Sequence, residues 1–201
     1  MINLEKKIIV AICGASGVIY GVRLLKALLE KPFSVKLMIS KAGEEVLKHE
    51  MDYNGTEFKF FLKKEGIELH PEATLEQYQP NDLFAPPASG SFRHNGMIIA
   101  PCSMKTLAAI SSGIADSLIH RAADVCLKEK RPLILVPRET PLNLIHLKNM
   151  VRAVQAGATI MPPSPSFYFH PETINELVDT VIARILDHIG IPQRIVKQWG
   201  E

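Results

Sequence analysis

Residues 6–31 read "KKIIVAICGASGVIYGVRLLKALLEK": an apolar run, a turn that contains Gly14 and Gly17, and a helix-like pattern that begins at once. A strand that turns directly into a helix is the usual first unit of a parallel α/β sheet. The first amides of such a helix have no partners within the helix, so they attract anions. The stretch therefore predicts an anion site at this turn, with a merely structural turn as the alternative.

Two known turns of this type do not fit the sequence. The dinucleotide pattern G-x-G-x-x-G fails because Ser16 occupies the second glycine position, and Ser40 and Lys41 stand where an acidic residue is expected. The nucleophile elbow G-x-S-x-G fails because Val18 occupies its last glycine position. A phosphate-binding turn of another kind therefore fits best.

Composition narrows the class of protein. The chain has 201 residues, of which 47% are hydrophobic and 22% charged, as is ordinary for one globular domain spanning 1–201. A net charge of +2 with scattered lysines and arginines argues against nucleic acid as a partner. Apolar runs stay well short of the roughly 20 residues that cross a membrane, so no membrane span is predicted.

The cysteines and the first residues predict the compartment. Cys13, Cys102 and Cys126 are odd in number and widely spaced, which predicts neither a disulfide framework nor a zinc site. The opening residues lack the apolar region and cleavage site of a signal peptide. We therefore expect a reduced, cytoplasmic protein that needs no metal.

Continuous apolar runs of strand length recur along the chain, with helix-like patterns between them. Continuous rather than alternating apolarity predicts strands that are covered on both faces, as in a parallel sheet. The predicted strands are 7–13, 34–40, 96–102, 132–137 and 157–163, and the predicted helices are 17–30, 42–50, 104–130, 142–156 and 172–189. The fold class predicted is α/β, a doubly wound parallel sheet in three α/β/α layers, with ligands at the carboxyl ends of the strands.

Three segments depart from this alternation. Residues 51–80 are polar and irregular, which predicts a variable excursion with a short strand near 67–70, "IELH". Residues 81–95, "NDLFAPPASGSFRHN", are rich in turn-forming residues and predict a long loop, a feature that is usually functional in a compact domain. Residues 190–201 are expected to form a C-terminal tail.

Polar and charged residues follow several of the predicted strands. Ser103 and Thr106 can cap a helix beside the charge of Lys105, so two strand ends offer hydroxyls and free amides. This repetition favours a nucleotide-sized ligand with a phosphate. Arg138 and Glu139 follow a buried strand, where a surface ion pair is the alternative to ligand binding.

Charged residues on two predicted helices leave alternatives open. Arg184 lies in an otherwise apolar stretch and needs an anion or a carboxylate, with Asp187 as the ordinary candidate. Arg121 and Lys128 share one helix face, where solvated charges are the usual explanation.

Taken in order, several stretches resemble the UbiX/Pad1 flavin prenyltransferases. They are "GASGVIYGVRLL", "ISKAGEEVLKHE", "NDLFAPPASGS", "APCSMKTLAAISSG", "HRAADVCLKEKRPLILVPRETPL", "IHLKNM", "PPSPSFYFHP" and "IARILDHIGI". The resemblance weakens only across 51–75. It implies a Rossmann-like, flavodoxin-like flavoprotein that transfers a dimethylallyl group from dimethylallyl phosphate to N5 and C6 of reduced FMN. The prenylated FMN then serves a separate UbiD-type decarboxylase.

The resemblance also implies the site residues. Those expected to bind FMN are Gly14, Ala15, Ser16, Ser40, Ser103, Met104, Lys105, Thr106 and Arg138, and those expected to bind the prenyl phosphate are Lys128, Arg138, Tyr168 and Arg184. Ser16 is expected near flavin N5, and Glu50 and Glu139 at positions that handle phosphate and protons. Phe84 is our candidate for the aromatic face near the allyl cation, where tryptophan is more familiar.

Partners and alternatives complete the hypothesis. The resemblance implies a flavin reductase as the source of reduced FMN, and a homo-oligomer, commonly a dodecamer, with sites at subunit junctions. Three other functions are weighed: an FMN-dependent cysteine decarboxylase, a non-catalytic flavin-binding module and a direct aromatic-acid decarboxylase. The first expects a "PxMNxxMW" segment, but "RETPLNLIHLKNM" stands in its place.

Overall fold

Six strands and seven α-helices form the part of the chain that the computed structural model describes, residues 6–196. The strands are β1 Lys7–Ile12, β2 Ser34–Ile39, β3 Thr74–Tyr78, β4 Gly96–Cys102, β5 Leu133–Pro137 and β6 Thr159–Ile160. The helices are α1 Ile19–Leu29, α2 Lys41–Met51, α3 Phe58–Lys64, α4 Met104–Ser111, α5 Leu118–Lys128, α6 Leu144–Gln155 and α7 Ile174–His188. A short 3₁₀ turn, Pro86–Ala88, lies in the loop before β4.

The strands form one parallel sheet in the order β3-β2-β1-β4-β5-β6. The chain runs outward from β1 to β3, returns to β4 beside β1, and runs outward again to β6. The order reverses between β1 and β4, and a crevice opens at such a point outside the carboxyl ends of the strands. The predicted doubly wound parallel sheet is therefore confirmed, and its ligand crevice lies after β1 and β4.

Two apolar clusters cover the two faces of the sheet. Ile8 and Val10 of β1 belong to the cluster that includes α1, α2, α3 and α7, whereas Ile9 and Ala11 belong to the cluster with α4, α5 and α6. All four side chains are fully buried. Both faces being covered explains why the strand is continuously apolar. The predicted three-layer α/β/α arrangement is confirmed.

Close packing joins the turn after β1 to the start of α2. A Cβ on Gly14 would collide with the Cβ of Ala42, and a Cβ on Gly43 would lie 2.6 Å from the carbonyl oxygen of Ile12. Both contacts leave no room for a side chain. The two glycines therefore let the first turn and the second helix approach closely enough to share one site.

The predicted helix 104–130 is wrong, because two helices occupy it. The first, α4, ends at Ser111, and Gly113 follows with a φ of +71°, a conformation that favours glycine. Ser117 then caps α5, its side-chain oxygen accepting a hydrogen bond from the amide of His120 at 3.3 Å. The break creates an additional helix N-terminus at the carboxyl edge of the sheet.

The strand expected near 67–70 is also wrong. Ile67 is buried and Leu69 packs against the core after α3, whereas the strand β3 begins at Thr74 and pairs with β2. β3 is a polar edge strand in which only Leu75 is buried. Tertiary pairing, rather than hydrophobic pattern, therefore decides the position of this strand.

The last helix ends near the limit of the described residues. α7 has 15 residues and ends at His188, and the chain is described as far as residue 196. The predicted tail 190–201 thus lies partly outside the described residues. Within residues 6–196, no helix is both long and apolar enough to cross a lipid bilayer.

Candidate active site

A cavity of about 650 Å³ opens at the carboxyl edge of the sheet, where the strand order reverses. Its lining includes five of the residues expected to bind flavin: Gly14, Ser40, Ser103, Lys105 and Thr106. These residues follow β1, β2 and β4 and lie far apart in the sequence. The structure therefore brings the predicted strand ends together around one space of ligand size.

The serines in this cavity cap helices. The side-chain oxygen of Ser40 accepts a hydrogen bond from the amide of Gly43 at 3.0 Å, and that of Ser103 accepts one from the amide of Thr106 at 3.3 Å. The two hydroxyls thus hold the first turns of α2 and α4, whose dipoles favour an anion. Direct contact of either hydroxyl with a ligand stays a prediction.

Thr106 connects this wall of the cavity to β1. Its hydroxyl donates to the sulfur of Cys13 at 3.4 Å. Burial raises the pKa of the Cys13 thiol to about 11, so Cys13 is a neutral packing residue rather than a nucleophile.

A third helix N-terminus, which the sequence analysis missed, reaches the same cavity. Ser117, the cap of α5, lines the cavity together with Asp116 and His120. Nδ1 of His120 lies 2.6 Å from a carboxylate oxygen of Asp116, and this hydrogen bond lowers the pKa of Asp116. The signal was present as Gly113 followed by a serine and an apolar run, but a continuous helix was predicted there.

The first turn holds an anion that belongs to the protein itself. The amide of Gly17 donates to the carboxylate of Glu50 at 2.9 Å, and the amide of Val18 donates to it at 3.1 Å. Val18, the N-cap of α1, provides no side-chain cap of its own. Glu50 therefore caps α1 from the end of α2, and the neighbouring Ser16 is exposed at the turn.

Arg138 and Glu139 follow β5 and are exposed. The pKa of Tyr20 is raised by burial and lowered in part by the charge of Arg138, which places the guanidinium close to the start of α1. Glu139 accepts a hydrogen bond from the amide of Thr140 at 3.0 Å. Among the described ion pairs none joins Arg138 to Glu139, so the expected alternative of a pair between them does not apply.

Lys128 and Arg184, both expected to bind the prenyl phosphate, lie in opposite layers of the chain. Lys128 forms a 2.5 Å ion pair with Glu129 at the end of α5, and Arg184 lies 3.5 Å from Asp187 on α7. α5 and α7 pack on opposite faces of the sheet. Tyr168 is 74% exposed. These roles stay predictions, and so does that of the fully exposed Phe84.

Comparison with known proteins places this geometry in a family. The Flavoprotein family model matches residues 3–186. The flavin prenyltransferase UbiX of Pseudomonas aeruginosa is 44% identical over 198 residues, covering 98% of this chain and 95% of that protein. The chain belongs to the UbiX/Pad1 flavin prenyltransferases. The resemblance predicted from the sequence motifs is therefore confirmed.

Solved structures of this flavin prenyltransferase family share the fold over nearly the whole chain. AnUbiX (PadA1), solved in complex with FMN and dimethylallyl pyrophosphate, has a TM-score of 0.89 at 42% identity and covers 98% of both chains. The dodecameric FMN-dependent UbiX-like decarboxylase from Escherichia coli O157:H7 has a TM-score of 0.86 at 43% identity, covering 97% of this chain and all of that one. Residues 6–196 contain no cluster of His, Cys, Asp and Glu side chains that could hold a metal ion.

Backbone contacts anchor the loop 81–95 of this flavin prenyltransferase. Arg121 donates to the carbonyl oxygen of Ala88 at 3.0 Å, and Arg131 donates to those of Gly90 and Phe92 at 2.6 and 2.7 Å. Arg121 is therefore more than a solvated charge. At the end of the loop, Nδ1 of His94 lies 3.2 Å from the carbonyl oxygen of Gly96.

Acid is expected to lower the free energy of unfolding through protonation of His94. Burial lowers the pKa of this half-buried side chain to about 4 from its ordinary 6.5, so the unfolded chain binds the proton more readily. The contribution of the neutral His94 side chain to the free energy of unfolding is therefore present at neutral pH. It is lost as the pH falls from about 6.5 towards 4. Between pH 7 and pH 5, we expect His94→Gln to lose about 1 kcal/mol less free energy of unfolding than the unmodified protein.

Urea unfolding at the two pH values measures this difference. The exposed His49→Gln variant is the control and should lose as much stability as the unmodified protein. An equal loss in His94→Gln would contradict the assignment.

Proposed function

We propose that the protein transfers a dimethylallyl group from dimethylallyl phosphate to N5 and C6 of reduced FMN, and that the prenylated FMN serves a UbiD-type decarboxylase. One observation carries this proposal: in this member of the family, the N-termini of α2, α4 and α5 converge on a single cavity. Helix N-termini are suited to a phosphate group. When bound, reduced FMN supplies the nucleophilic nitrogen and carbon to which the allyl group becomes attached.

The residues around the cavity fit a flavin mononucleotide. Its volume of about 650 Å³ lies within the range of pockets for small ligands. Hydroxyl, amide and lysine groups suit the phosphate and the ribityl chain. The residues that would hold the flavin are Gly14, Ala15, Ser16, Ser40, Ser103, Met104, Lys105, Thr106 and Arg138.

Prenyl transfer requires stabilisation of a departing phosphate. Lys128, Arg138 and Arg184 would offset the charge that grows on the leaving group, and such preorganised charge is usually the largest catalytic contribution. Tyr168 can donate a further hydrogen bond. Ser16 would position the reacting centre beside the first turn.

Two further side chains would support the reaction. The ring of Phe84 would stabilise the cationic allyl fragment by about 0.5–2 kcal/mol. Glu139 is the candidate acceptor for the proton that ring closure releases, and the departing phosphate is the alternative.

A homo-oligomer would complete the site. Lys128 and Arg184 project from opposite layers of one chain, so residues of two copies can meet at a junction. An apolar face on α6 supports association: Leu144, Ile145, Leu147, Val151 and Val154 are each 46–68% exposed. We propose a dodecamer, located in the cytoplasm and supplied with reduced FMN by a flavin reductase.

Mass spectrometry of the flavin product tests the function. The protein is incubated without oxygen with reduced FMN and either dimethylallyl phosphate or dimethylallyl pyrophosphate. We expect the flavin to gain one C5H8 unit with the monophosphate, and Ser16→Ala to slow this gain. Full turnover in Ser16→Ala would contradict its assigned position.

The flavin mass, together with a separate incubation of the protein with an aromatic acid, separates the alternatives. Unchanged flavin with either donor would contradict the proposed function. Release of carbon dioxide from an aromatic acid, without a UbiD-type partner, would favour a direct decarboxylase instead.

A further inference from the structure

His120 is a buried titratable side chain in the cavity, and no step proposed above uses it. Only 7% of the residue is exposed, and its Nδ1 is bound by Asp116 at 2.6 Å. Within residues 6–196, every side-chain nitrogen or oxygen that is sealed from solvent has a hydrogen-bond partner. The bonds that His120 makes there use its amide and Nδ1. Nε2 is therefore open to the cavity that His120 lines.

The electrostatics of the cavity favour an anion near this nitrogen. Lys41 and Lys105 balance Glu45 and Asp116 among the side chains of the lining. Because these four charges cancel, the charge left at the cavity is that of the N-termini of α2, α4 and α5. Each N-terminus is equivalent to about half a positive charge. His120 lies in the first turn of α5, among the amides that carry this charge.

We propose that His120, with its ring held by Asp116, binds the phosphate monoester of FMN. The assignment rests on the proposed flavin function. With Asp116 on Nδ1 and a phosphate oxygen on Nε2, the imidazolium donates hydrogen bonds from both nitrogens. Asp116 is the positioning residue, because its carboxylate orients the ring and, being negatively charged, would not itself bind the phosphate.

A prenyl phosphate has the same chemistry, but the structure favours the flavin as its source. Lys128, Tyr168 and Arg184, expected to bind the prenyl phosphate, are absent from the described lining of this cavity. Ser40 and Ser103, expected to bind flavin, are part of it.

Flavin affinity with and without the phosphate tests the proposal. The dissociation constants of FMN and riboflavin are measured by flavin fluorescence for the full-length protein and for His120→Asn. Loss of a charge-assisted hydrogen bond should weaken FMN binding about tenfold. Riboflavin binding should change by less than about twofold, since riboflavin lacks the phosphate. His188→Asn, an exposed histidine outside the cavity, should change neither value.

Asp116→Asn keeps the test decisive if His120→Asn does not fold. Asp116 is 66% exposed, and its replacement should lower the ratio of FMN to riboflavin affinity by a smaller factor. An unchanged ratio in the folded variants would overturn the proposal. The proposal would also be overturned if the dependence of the reaction rate on dimethylallyl phosphate changed while the affinity for FMN did not. The prenyl phosphate would then be the ligand of His120. Failure of the unmodified protein to bind FMN at all would instead contradict the proposed function.

Discussion

Replacing Lys128 or Arg184 with methionine is expected to slow prenyl transfer about 100- to 1,000-fold, as removal of one preorganised charge commonly does. Each side chain is exposed on its own chain, so folding should be unaffected. Flavin affinity should also be unchanged, because neither residue lines the cavity described above. Single-turnover rates with reduced FMN and dimethylallyl phosphate measure the effect, and Lys63→Met on α3 is the control.

Co-expression of the two variants tests whether one site uses two copies of the chain. In a randomly mixed oligomer, about a quarter of the junctions would receive both unmodified residues from different copies. Activity should therefore recover to a similar fraction in the mixture. If both residues acted within one chain, no site would be restored in the mixture. A mixture as inactive as its parts would contradict the shared site.

Replacing Glu50 with alanine is expected to lower the free energy of unfolding by about 1–2 kcal/mol, the cost of losing a helix cap. The amides of Gly17 and Val18 would lose their acceptor, and the positive end of α1 would lose its anion. Glu50→Gln should lose less than half as much, because its amide oxygen still accepts a hydrogen bond. Thermal or urea unfolding measures both values.

Glu50 also allows its structural and chemical roles to be separated. Glu50→Gln should retain FMN but transfer the prenyl group more slowly if the carboxylate handles protons or phosphate. Equal transfer rates would count against that role and leave Glu50 as a helix cap. Glu68→Ala, an exposed acidic residue between α3 and β3, is the stability control, and a loss there equal to that of Glu50→Ala would contradict the capping argument.

The sheet could be predicted largely from the sequence because most of its strands are buried on both faces. Nearly continuous apolarity marks β1, β2, β4 and β5, and in β2 the buried Lys36 interrupts it. β3 carries no such mark, since it is a polar edge strand that forms by pairing with β2. The break between α4 and α5 was missed because each half has a helical pattern and one glycine does not exclude a helix.

The site was predictable where its residues directly follow strands. Ser103 was found in this way and Ser40 through the family resemblance, and both line the cavity. The cap from Glu50 to Gly17 joins residues 33 positions apart, so only the packing of α2 against the first turn reveals it. His120 escaped notice because its partner Asp116 precedes a helix start that was not recognised. The residues expected to bind the prenyl phosphate stay predictions, since Lys128 and Arg184 lie in opposite layers of the chain.

The anchoring of the loop 81–95 bears on which substitutions the loop can accept. Arg121 and Arg131 bind backbone carbonyl oxygens of Ala88, Gly90 and Phe92, which every amino acid possesses. These three hydrogen bonds therefore do not involve the loop's own side chains, whereas the buried Ala85 and Pro87 hold the loop by packing. Phe84 is fully exposed, so its replacement by another aromatic residue should leave these hydrogen bonds intact. Substitutions at position 84 thus offer a way to test the proposed aromatic face without disturbing the contacts that support the loop.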